Sequence, residues 1–516
     1  MRPARLIDAD QDFSSSLGGG ADRLDAFAGL NSNSMGFARI AAPDFLAASP
    51  FGAGPFGQSA LFALNAADRG GTGPNNKPSL TVAEAGAQIS RANITWNGSG
   101  VIGQAASVTY AFRSTAPAVM PDGTAGFSRF NATQITQAER ALQSWSDVAR
   151  ITFTRVSDAD GYSNNAQILL GNYASGAAGA AAFAYFPGTG IGGDAWFNSS
   201  LSYNANPSNL NYGRQTLTHE IGHALGLSHP GDYNAGTGTP TYANSAVYYE
   251  DTRQYTIMSY WSETNTGGNN GGYYSAAPLL DDIAAIQRLY GANTTTRTGN
   301  DTYGFNSNTG RDFYTATSSA LPVIFAVWDA GGIDTFDFSG YTQTQRIDLN
   351  AGNFSDVGGL IGNVTIAIGV TIENAIGGSG ADTIIGNAAA NVLRGGAGND
   401  VIDGNGGADS LYGGTGADRF VFNQLSDSQS GAIDRIFDFE TGIDRIDLSG
   451  IDARTNVTGD QAFSLVASFT RVSGQLTRTY SSTTNTTTIS GDVNGDGVAD
   501  FVLFVTGQVA NTDLIL

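Results

Sequence analysis

The residues best suited to metal chemistry lie in the stretch HEIGHALGLSHP, which begins at His219. It contains His219, His223 and His229, the only three histidines among 516 residues. Such clustering of a scarce residue indicates a shared role, and imidazole nitrogens are common zinc ligands. Glu220 follows the first histidine, where a carboxylate can act as a general base. The spacing therefore predicts a catalytic zinc site with a neighbouring base.

A helix would bring these side chains together. Residues four apart lie one turn apart on one face, so His219 and His223 can bind one ion. The residues predicted to face the core from the opposite side are Leu217, Ile221 and Leu225. Gly226 can adopt the left-handed conformation that ends the helix, and the turn returns His229 as third ligand. Three imidazoles leave the fourth position of a tetrahedral zinc ion for water, which is the catalytic arrangement.

The expected chemistry is hydrolysis of a peptide bond. Zinc lowers the pKa of a bound water toward neutrality. Glu220 would take the proton of that water and pass it to the leaving amine, and a nearby donor would stabilise the oxyanion. The alternative is a buried helix whose histidines only satisfy local hydrogen bonds.

The composition limits the classes of function. The chain carries 46 acidic and 25 basic residues, a net charge of −21, which argues against nucleic acid and anionic membranes as partners. Its 69 glycines indicate many turns or a glycine-demanding repeat. The chain has no cysteine, so disulfides, thiolate metal sites and a cysteine nucleophile are excluded. Bound metal ions are the expected replacement for disulfides.

Residues 76–295 show the pattern of a mixed α/β domain. ATQITQAERALQSWSDVAR has helical periodicity, with Thr133 as its expected N-terminal cap. ITFTRV and AQILLGNY are predicted strands, and APLLDDIAAIQRLYG is a third helix closed by Gly291.

Residues 1–75 have no clear core pattern and are predicted to be a leader or propeptide with a linker, or a disordered tail. The first residues lack the apolar run of a signal peptide, and no stretch reaches eighteen apolar residues. The chain is therefore expected to be cytoplasmic, or exported by a route that does not read the N-terminus.

A nine-residue repeat of the form GGxGxDxUx, where U is a large apolar residue, marks the region after residue 296. Its units start at Gly377, Gly386, Gly395, Gly404 and Gly413. Turn carbonyls and aspartate carboxylates supply the oxygen ligands that Ca²⁺ prefers. The predicted calcium ligands in the repeats are Gly378, Gly380, Asp382, Gly396, Gly398, Asp400, Asn405, Gly407, Asp409, Gly414, Gly416 and Asp418.

The apolar residues predicted at or next to the inward position of each repeat are Ile384, Val392, Ile402, Leu411 and Phe420. The second unit has Asn391 where the others have aspartate, so a weaker or absent ion is expected there. A flexible glycine-rich linker is the alternative, although it does not explain an aspartate and an apolar residue kept in register.

HEIGHALGLSHP matches the HExxHxxGxxH signature of metzincin peptidases, and Pro230 after the third histidine resembles the serralysin branch. The resemblance implies an α+β chain in which a metzincin-type α/β catalytic domain, residues 76–295, precedes an all-β parallel β-roll of calcium-binding (RTX) repeats and a β-sandwich, residues 296–516. It also implies that Met258, in YTIMSYWSE, forms a methionine turn beneath the metal. Tyr260 would then be a zinc ligand that moves to donate to the oxyanion.

The segments TRTGNDTYGFNSN, VWDAGGIDTFDFSG and GVTIENAIGGSGADTIIGN resemble serralysin segments that bind the first calcium ions. The ligands implied by this resemblance are Arg297, Gly299, Asp301, Asp329, Gly331, Gly332, Asp334, Thr371 and Glu373. Asp427 and Asp434 could close the last turn or be surface charge. GDVNGDGVADF has EF-loop spacing, but Leu503 replaces the usual Glu, so a calcium site and a polar turn both remain open.

The final DLIL resembles the C-terminal end of type I secretion substrates, which implies a C-terminal secretion signal and an extracellular location. A roll that needs calcium to neutralise its carboxylates would stay unfolded at low cytoplasmic calcium and fold outside. The expected partners are protein or peptide substrates, the type I secretion machinery and a small proteinaceous inhibitor. No nucleic acid, no membrane insertion and a monomer are expected.

The sequence thus predicts a secreted zinc endopeptidase of broad specificity, with Zn²⁺ catalytic and several Ca²⁺ structural. Substrate would lie antiparallel to an edge strand near Ala180 to Phe186. One rival is a calcium-dependent surface or adhesion protein with a non-catalytic zinc helix. Another is a lipase, but no GxSxG motif is present and no histidine is left for a triad.

Overall fold

The computed structural model describes residues 63–177, 180–233 and 240–516. In its N-terminal half, helices and strands alternate around one five-stranded sheet. The helices are α1 (Val82–Ile89), α2 (Ala132–Val148), α3 (Ser202–Ala205), α4 (Tyr212–Ala224), α5 (Tyr242–Ser245) and α6 (Leu280–Tyr290). The strands are β1 (Ile94–Thr95), β2 (Gly98–Ser99), β3 (Ala106–Phe112), β4 (Ile151–Arg155), β5 (Ile168–Tyr173), β6 (Ala182–Ala184) and β7 (Ala195–Asn198).

The five-stranded sheet has the order β4-β3-β5-β7-β6. Strands β3, β4, β5 and β7 are parallel, and every residue of β5 is buried, as expected for a central strand covered on both faces. Strand β6 runs antiparallel to β7 and lies at the edge of the sheet. Among the described strands, β6 therefore has a neighbour on one side only.

Helix α2 packs against α4 and fixes its position. Its cap is Asn131, whose side chain accepts the backbone N–H of Gln134 at 2.9 Å. The side chain of Gln134 in turn accepts the backbone N–H of Asn131 at 3.0 Å. The prediction of Thr133 as the cap is wrong, because that residue lies inside the helix and the asparagine two positions earlier forms the reciprocal bonds. Trp145 of α2 is buried and donates its indole N–H to the carbonyl of Thr218 at 3.0 Å.

Helix α4 ends where the sequence predicts. Gly226 has a φ of +102°, and a Cβ there would lie 2.0 Å from the carbonyl oxygen of Ile94. Only glycine fits this turn, which redirects the chain toward His229. On the core side of the helix, Leu217, Ile221 and Leu225 are buried as predicted.

The segment before α1 packs on the rest of the N-terminal half. Arg69 is buried in an ion pair with Asp281 of α6, and Leu64 N–H donates to the Tyr255 hydroxyl at 2.6 Å. Residues 63–75, which fall in the predicted leader, are therefore built into the surrounding structure. The rest of that predicted leader, residues 1–62, lies outside the described residues.

The C-terminal half is made of short strands. They are β8 (Thr302–Gly304), β9 (Phe325–Val327), β10 (Thr335–Asp337), β11 (Arg346–Asp348), β12 (Phe354–Ser355), β13 (Val364–Ile366), β14 (Asn374–Ile376), β15 (Thr383–Ile385), β16 (Val392–Ala397), β17 (Val401–Asp403), β18 (Ser410–Thr415), β19 (Arg419–Val421), β20 (Asp434–Ile436), β21 (Arg445–Asp447), β22 (Ser464–Leu465), β23 (Gln475–Ser481), β24 (Thr486–Asp492), β25 (Phe501–Thr506) and β26 (Leu514–Ile515).

These strands form two facing sheets. One has ten strands in the order β22-β23-β24-β25-β20-β18-β16-β14-β10-β8, and the other has six in the order β11-β15-β17-β19-β21-β26. A three-stranded sheet, β12-β13-β9, adjoins them. Pairing along the roll is parallel, and β23, β24 and β25 extend it with antiparallel pairing. This is the predicted parallel β-roll.

Equivalent apolar residues stack between the two sheets. Ile384 pairs with Ile402, and Ile402 with Phe420, while Leu393 pairs with Leu411 on the facing sheet. All five side chains are buried, so Leu393, next to Val392, occupies the inward position of the second unit.

In the part of the chain that the structure describes, every helix is too short or too polar to cross a membrane.

Candidate zinc centre and calcium-binding turns

The three histidines converge on one point. The Nε2 atoms of His219 and His223 lie 3.1 Å apart, those of His223 and His229 3.1 Å, and those of His219 and His229 3.2 Å. Three nitrogens at a zinc–nitrogen distance of about 2.0–2.1 Å in a tetrahedron would lie about 3.3 Å apart. The donor set therefore fits a tetrahedral zinc ion with one position left over.

The outer nitrogens of two rings fix the tautomer that metal binding needs. His219 Nδ1 lies 2.8 Å from the carbonyl oxygen of Ile257, and His223 Nδ1 lies 2.6 Å from that of Leu227. A carbonyl only accepts, so each Nδ1 carries the proton and each Nε2 presents a lone pair.

Burial keeps the imidazoles of His219 and His229 neutral. It lowers the pKa of His219 to about 3, and the nearby His223 lowers it further in the same direction. The pKa of His229 is also held well below its usual value, first by burial and then by its two histidine neighbours. Neutral imidazole is the form that binds zinc, so these two ligands are already in the metal-binding protonation state before an ion binds.

The methionine loop, residues 256–261, lies beneath the histidines. Met258 is fully buried, and a Cβ on Gly222 of α4 would lie 2.8 Å from its sulfur. The neighbouring Ile257 carbonyl accepts the bond from His219 described above. The loop thus supports the zinc helix from below and orients one ligand.

Glu220 and Tyr260 flank the histidine cluster. Glu220 is 6% exposed on α4, directly after His219. The ring of Tyr260 lies 4.5 Å from the ring of His229 and 6.2 Å from that of His219, centre to centre. The structure therefore brings Tyr260 to the histidine cluster and places Glu220 beside His219 on the same helix.

The end of the edge strand reaches the same site. The ring centre of Phe186, two residues after β6, lies 6.2 Å from that of His223. On the side that faces β7, the carbonyl of Ala181 accepts the N–H of Asn198, and the N–H of Tyr185 donates to the carbonyl of Asp194. Because bonding alternates along an antiparallel pair, the N–H and C=O groups of Ala182 and Ala184 point to the open side.

Sequence analysis did not single out two buried carboxylates beside the methionine loop, Asp251 and Asp282. Both are fully buried. Asp282 occupies the third position of α6 and accepts the N–H of Leu279 at 2.9 Å. An acidic residue at the third position of a helix is typical of a capping role, so the sequence held a weak indication of this contact. Asp251 carried no such signal, because Asp251 and its partners Tyr233 and Ser259 lie outside helices and strands.

Three acidic side chains meet at the start of the roll. Ligand oxygens of Asp301, Asp329 and Asp334 all lie within 4.8 Å of one another. The backbone N–H of Asp334 donates to Glu373 at 2.7 Å, so this predicted ligand lies beside the cluster. Burial, with the neighbouring carboxylates, raises the pKa of Asp334 to about 7. Carboxylates this close are costly without a cation, which fits calcium.

The other residues predicted for this first site line the same turns. Arg297 has a φ of +49°, Gly331 N–H donates to Asp329 at 2.7 Å, and Gly332 lies against the carbonyl of Gly299. Thr371 is exposed just before β14. The Arg297 guanidinium also reaches Asp147 of α2 at 3.2 Å, which ties the turn to the catalytic half.

In three of the repeats, the aspartate uses its two oxygens differently: Oδ1 accepts a backbone N–H and Oδ2 does not. Asp400 accepts the N–H of Asp382 at 2.8 Å through Oδ1, and Asp418 accepts that of Asp400 at 2.9 Å, one 18-residue turn apart. Asp409 does the same for Asn391 at 2.7 Å. The buried Oδ2 atoms of Asp400, Asp409 and Asp418 have no hydrogen-bond partner among the described residues. A buried carboxylate oxygen without a partner is costly, and this donor set fits calcium.

The turn glycines bring carbonyl groups into the same columns. A Cβ on Gly398 would lie 2.2 Å from the carbonyl oxygen of Gly380, so only glycine allows this stacking. The predicted ligands Gly378, Gly396, Gly407, Gly414 and Gly416 lie in equivalent close contacts with the neighbouring turn. Asn405 differs, because its side-chain amide donates to the carbonyl of Gly386 at 2.7 Å.

Asp382 and Asp427 depart from this pattern, whereas Asp434 follows it and accepts the N–H of Asp409 at 2.8 Å through Oδ1. Asp382 Oδ2 accepts the N–H of Gly378 at 2.6 Å, and Asp427 Oδ2 accepts that of Asn423 at 2.7 Å, so both cap their own turns. Asp434, which the sequence left open, keeps a buried Oδ2 without a partner in the described chain. Burial and the nearby Asp409 raise its pKa to about 9.

The EF-like stretch is a polar turn that joins β24 and β25. Asp492 accepts the N–H groups of Gly495 at 2.7 Å and Gly497 at 2.9 Å. Asp500 accepts the N–H of Val493 at 2.9 Å. The carboxylates are used by the loop itself.

Known proteins share both halves of this architecture. The family described as Matrixin matches residues 108–251, and the family described as Peptidase M10 serralysin C terminal matches residues 292–516. A subunit of a mannuronan C5-epimerase from Azotobacter vinelandii aligns with 28% of this chain at a TM-score of 0.22 and 28% identity, which is too limited to support an argument.

Curated relatives cover almost the whole chain. Metallopeptidase AprA of Pseudomonas marginalis is 57% identical over 463 residues, which is 87% of this chain and 94% of the relative. Serralysin C of Dickeya chrysanthemi is 53% identical over 85% of this chain and 90% of its own. Metalloprotease AprA of Pseudomonas entomophila is 54% identical over 87% and 93%. With this similarity and the histidine cluster described above, the chain belongs to the serralysin family of zinc metalloendopeptidases.

Proposed function

We propose that the protein is an extracellular endopeptidase of broad specificity, with Glu220 as general base and with calcium completing the roll. The observation that supports it best is one arrangement of three elements. The three histidine Nε2 atoms converge within 3.2 Å, a buried Glu220 follows the first histidine, and the open edge of β6 leads to the same place.

Zinc held by His219, His223, His229 and, at rest, Tyr260 would act as a Lewis acid and lower the pKa of a bound water. Glu220 takes a proton from the attacking water, so that the oxygen can form its bond to the carbonyl carbon of the substrate. Glu220 then gives that proton to the amine nitrogen as the carbon–nitrogen bond breaks. The Tyr260 hydroxyl, beside the His229 ring, donates a hydrogen bond to the substrate oxygen as it gains charge.

The edge strand explains the expected breadth of specificity. An extended substrate would add to the sheet antiparallel to β6 and use the outward N–H and C=O groups of Ala182 and Ala184. Backbone groups are the same in every peptide, and alanine side chains leave room for varied residues. Recognition of this kind selects extended conformation more than sequence.

Calcium would neutralise the buried carboxylates of the roll. We place ions at the cluster of Asp301, Asp329 and Asp334, and at the columns that contain Asp400, Asp409 and Asp418. Because the ionised carboxylates would repel one another without cations, at neutral pH the roll would stay unfolded where calcium is scarce and fold where it is abundant. This fits export through the type I secretion machinery before folding. Outside the cell the protein would act as a monomer, and a small proteinaceous inhibitor would be a further partner.

Catalysis would then belong to residues 76–295, on which residues 63–75 pack. Calcium binding and the secretion signal fall within residues 296–516, and a propeptide within the preceding residues. The C-terminal DLIL segment contributes β26, in which Leu514 pairs with Ile446 of β21.

The deciding experiment compares casein hydrolysis by the wild-type protein and by Glu220→Ala, with the zinc content of both measured. We expect zinc to be retained and kcat to fall by about 10²–10⁴-fold, which is the usual contribution of a general base. A zinc-loaded variant with undiminished proteolysis would contradict the assignment of Glu220. A wild-type protein that binds zinc and calcium without cleaving casein would instead favour the adhesion-protein alternative.

A further inference from the structure

The methionine loop has no helix or strand of its own, yet it carries both Met258 and Tyr260. Two hydroxyl side chains define its shape. Thr256 Oγ1 accepts the N–H of Met258 at 3.0 Å, and Ser259 Oγ accepts the N–H of Trp261 at 3.1 Å. Each hydroxyl therefore fixes the backbone two residues further on.

Each hydroxyl also donates to one of the two buried carboxylates. Thr256 Oγ1 donates to Asp282, and Ser259 Oγ donates to Asp251 Oδ1 at 2.7 Å. The loop is thus held at two points, on opposite sides of Met258, by acids that are fully buried. Hydrogen bonds to buried carboxylates are among the stronger ones in proteins, so these two contacts are expected to be rigid.

The Asp282 contact acts on the His219 side of the loop. Its Oδ2 accepts the backbone N–H of Ile257 at 2.8 Å. The carbonyl of that same residue accepts the bond from His219 Nδ1. Asp282 therefore orients a zinc ligand through one intervening residue.

The Asp251 contact acts on the Tyr260 side. Besides Ser259, Asp251 Oδ1 accepts the hydroxyl of Tyr233 at 2.8 Å. The Tyr233 ring lies 5.1 Å from that of Tyr260 and stacks on His229 with an angle of 13° between the planes. One carboxylate oxygen therefore holds both the residue before Tyr260 and a ring that packs against Tyr260.

We propose that Asp251 is a positioning residue for Tyr260, which it holds in reach of the substrate oxygen, whereas Asp282 positions His219 and thereby the metal. The inference rests on the role of Tyr260 proposed above. The two carboxylates are equally buried and contact the same loop, yet their loss should have separate consequences.

The test uses the full-length zinc- and calcium-loaded protein and a quenched peptide substrate. Asp251→Ala should lower kcat by about 10–100-fold, since a small misplacement of a catalytic group can cost that much, with KM and zinc affinity within about twofold of wild type. Asp251→Asn keeps an acceptor oxygen and should recover part of the loss. The matched control, Asp282→Ala, should instead weaken zinc binding by about 10–100-fold.

The route through Tyr260 is tested in a second background. Asp251→Ala combined with Tyr260→Phe should have the same kcat as Tyr260→Phe alone, because the hydroxyl that Asp251 positions is already missing. If the two losses multiply instead, positioning by Asp251 is wrong while the role of Tyr260 stands. If Tyr260→Phe alone leaves kcat unchanged, the role of Tyr260 fails and this inference fails with it.

Asp251→Ala leaves two buried hydroxyls without their acceptor, so its folding is the weak point of the test. Ser259→Ala removes the contact between Asp251 and the loop and keeps the bond to Tyr233. It should lower kcat in the wild-type background and not in Tyr260→Phe. A Ser259→Ala protein with unchanged kcat would overturn the inference even if Asp251→Ala does not fold.

Discussion

Arg69 and Asp281 form a bidentate ion pair in the interior, with Nη1···Oδ1 and Nη2···Oδ2 distances of 2.8 and 2.9 Å. Both side chains are fully buried, and Glu250 lies 3.8 Å from the Nε atom of Arg69. Burial raises the pKa of Asp281 to about 6 against the opposing effect of Arg69. The pair joins the segment before α1 to α6, whose Asp282 holds the methionine loop.

Arg69→Met should destabilise the protein by about 3–5 kcal/mol, because it leaves Asp281 and Glu250 buried without their cation. Urea unfolding of the zinc- and calcium-loaded protein measures this. Arg129→Met is the matched control, since the Arg129–Asp160 pair is about half exposed and should contribute at most about 1 kcal/mol. Equal losses in the two variants would show that the segment before α1 is not held by this pair.

The calcium-free roll should become less stable as the pH rises. Burial raises the pKa of Asp400, Asp409 and Asp418 to about 7, 8 and 6, whereas an unfolded aspartate titrates near 3.9. Between these values the folded roll binds more protons than the unfolded chain, so the free energy of unfolding falls with increasing pH. The protection factors of the roll strands, in which exchange is corrected for its intrinsic dependence on pH, should therefore be higher near pH 5 than near pH 8 after calcium removal.

With calcium bound, this trend should weaken or reverse, since the ion takes the place of the protons. The same exchange measurement in the calcium-loaded protein is the control. A calcium-free roll that is more protected near pH 8 than near pH 5 would contradict the burial of unneutralised carboxylates.

Asn391→Asp should make the second repeat dependent on calcium. The Asn391 amide donates to the carbonyl of Glu373 at 2.8 Å and to Asn387 at 3.1 Å, where a carboxylate would face two acceptors. We expect a lower melting temperature without calcium, partial recovery with calcium, and one more bound calcium ion by metal analysis. Asp400→Asn should show the opposite change in stoichiometry, and an unaltered calcium content in both variants would contradict these assignments.

Ala182→Pro should weaken substrate binding without disturbing zinc. Proline removes an N–H that points to the open side of β6, and one backbone hydrogen bond is worth about 0.5–1.5 kcal/mol net. The expected result is a fall in kcat/KM of about 2–10-fold, with zinc content and melting temperature unchanged. Unchanged kcat/KM on long peptides would argue that substrate does not pair with β6 at this residue.

Much of the zinc site could be predicted because its spacing is local. His219, Glu220 and His223 lie on one helix, and the glycine-ended turn returns His229 within a few residues, so the 3.6-residue period is sufficient. The roll was also predictable, since each repeat carries its own turn and inward residue. Local patterns of this kind depend little on the rest of the fold.

Features formed by distant residues were not predictable in the same way. Arg69 binds Asp281, 212 residues further on, so no window of sequence contains both partners. Asp251 and its partners Tyr233 and Ser259 all lie outside helices and strands, so no periodic pattern relates them. The cap of α2 was misplaced because Thr133 and Asn131 are both good cap residues and only the backbone decides between them. The way that each repeat aspartate divides its oxygens also depends on the neighbouring turn.

All three histidines of the chain lie within the zinc cluster, and this makes the protein unusually simple for spectroscopy. A sample labelled with ¹⁵N only in histidine would give imidazole signals from the active site and from nowhere else in the chain. The Nδ1 atoms of His219 and His223 should appear as protonated nitrogens, and the Nε2 atoms should shift when metal binds. Metal loading, inhibitor binding and a moving Tyr260 could thus be followed in a chain of 516 residues without assigning its backbone.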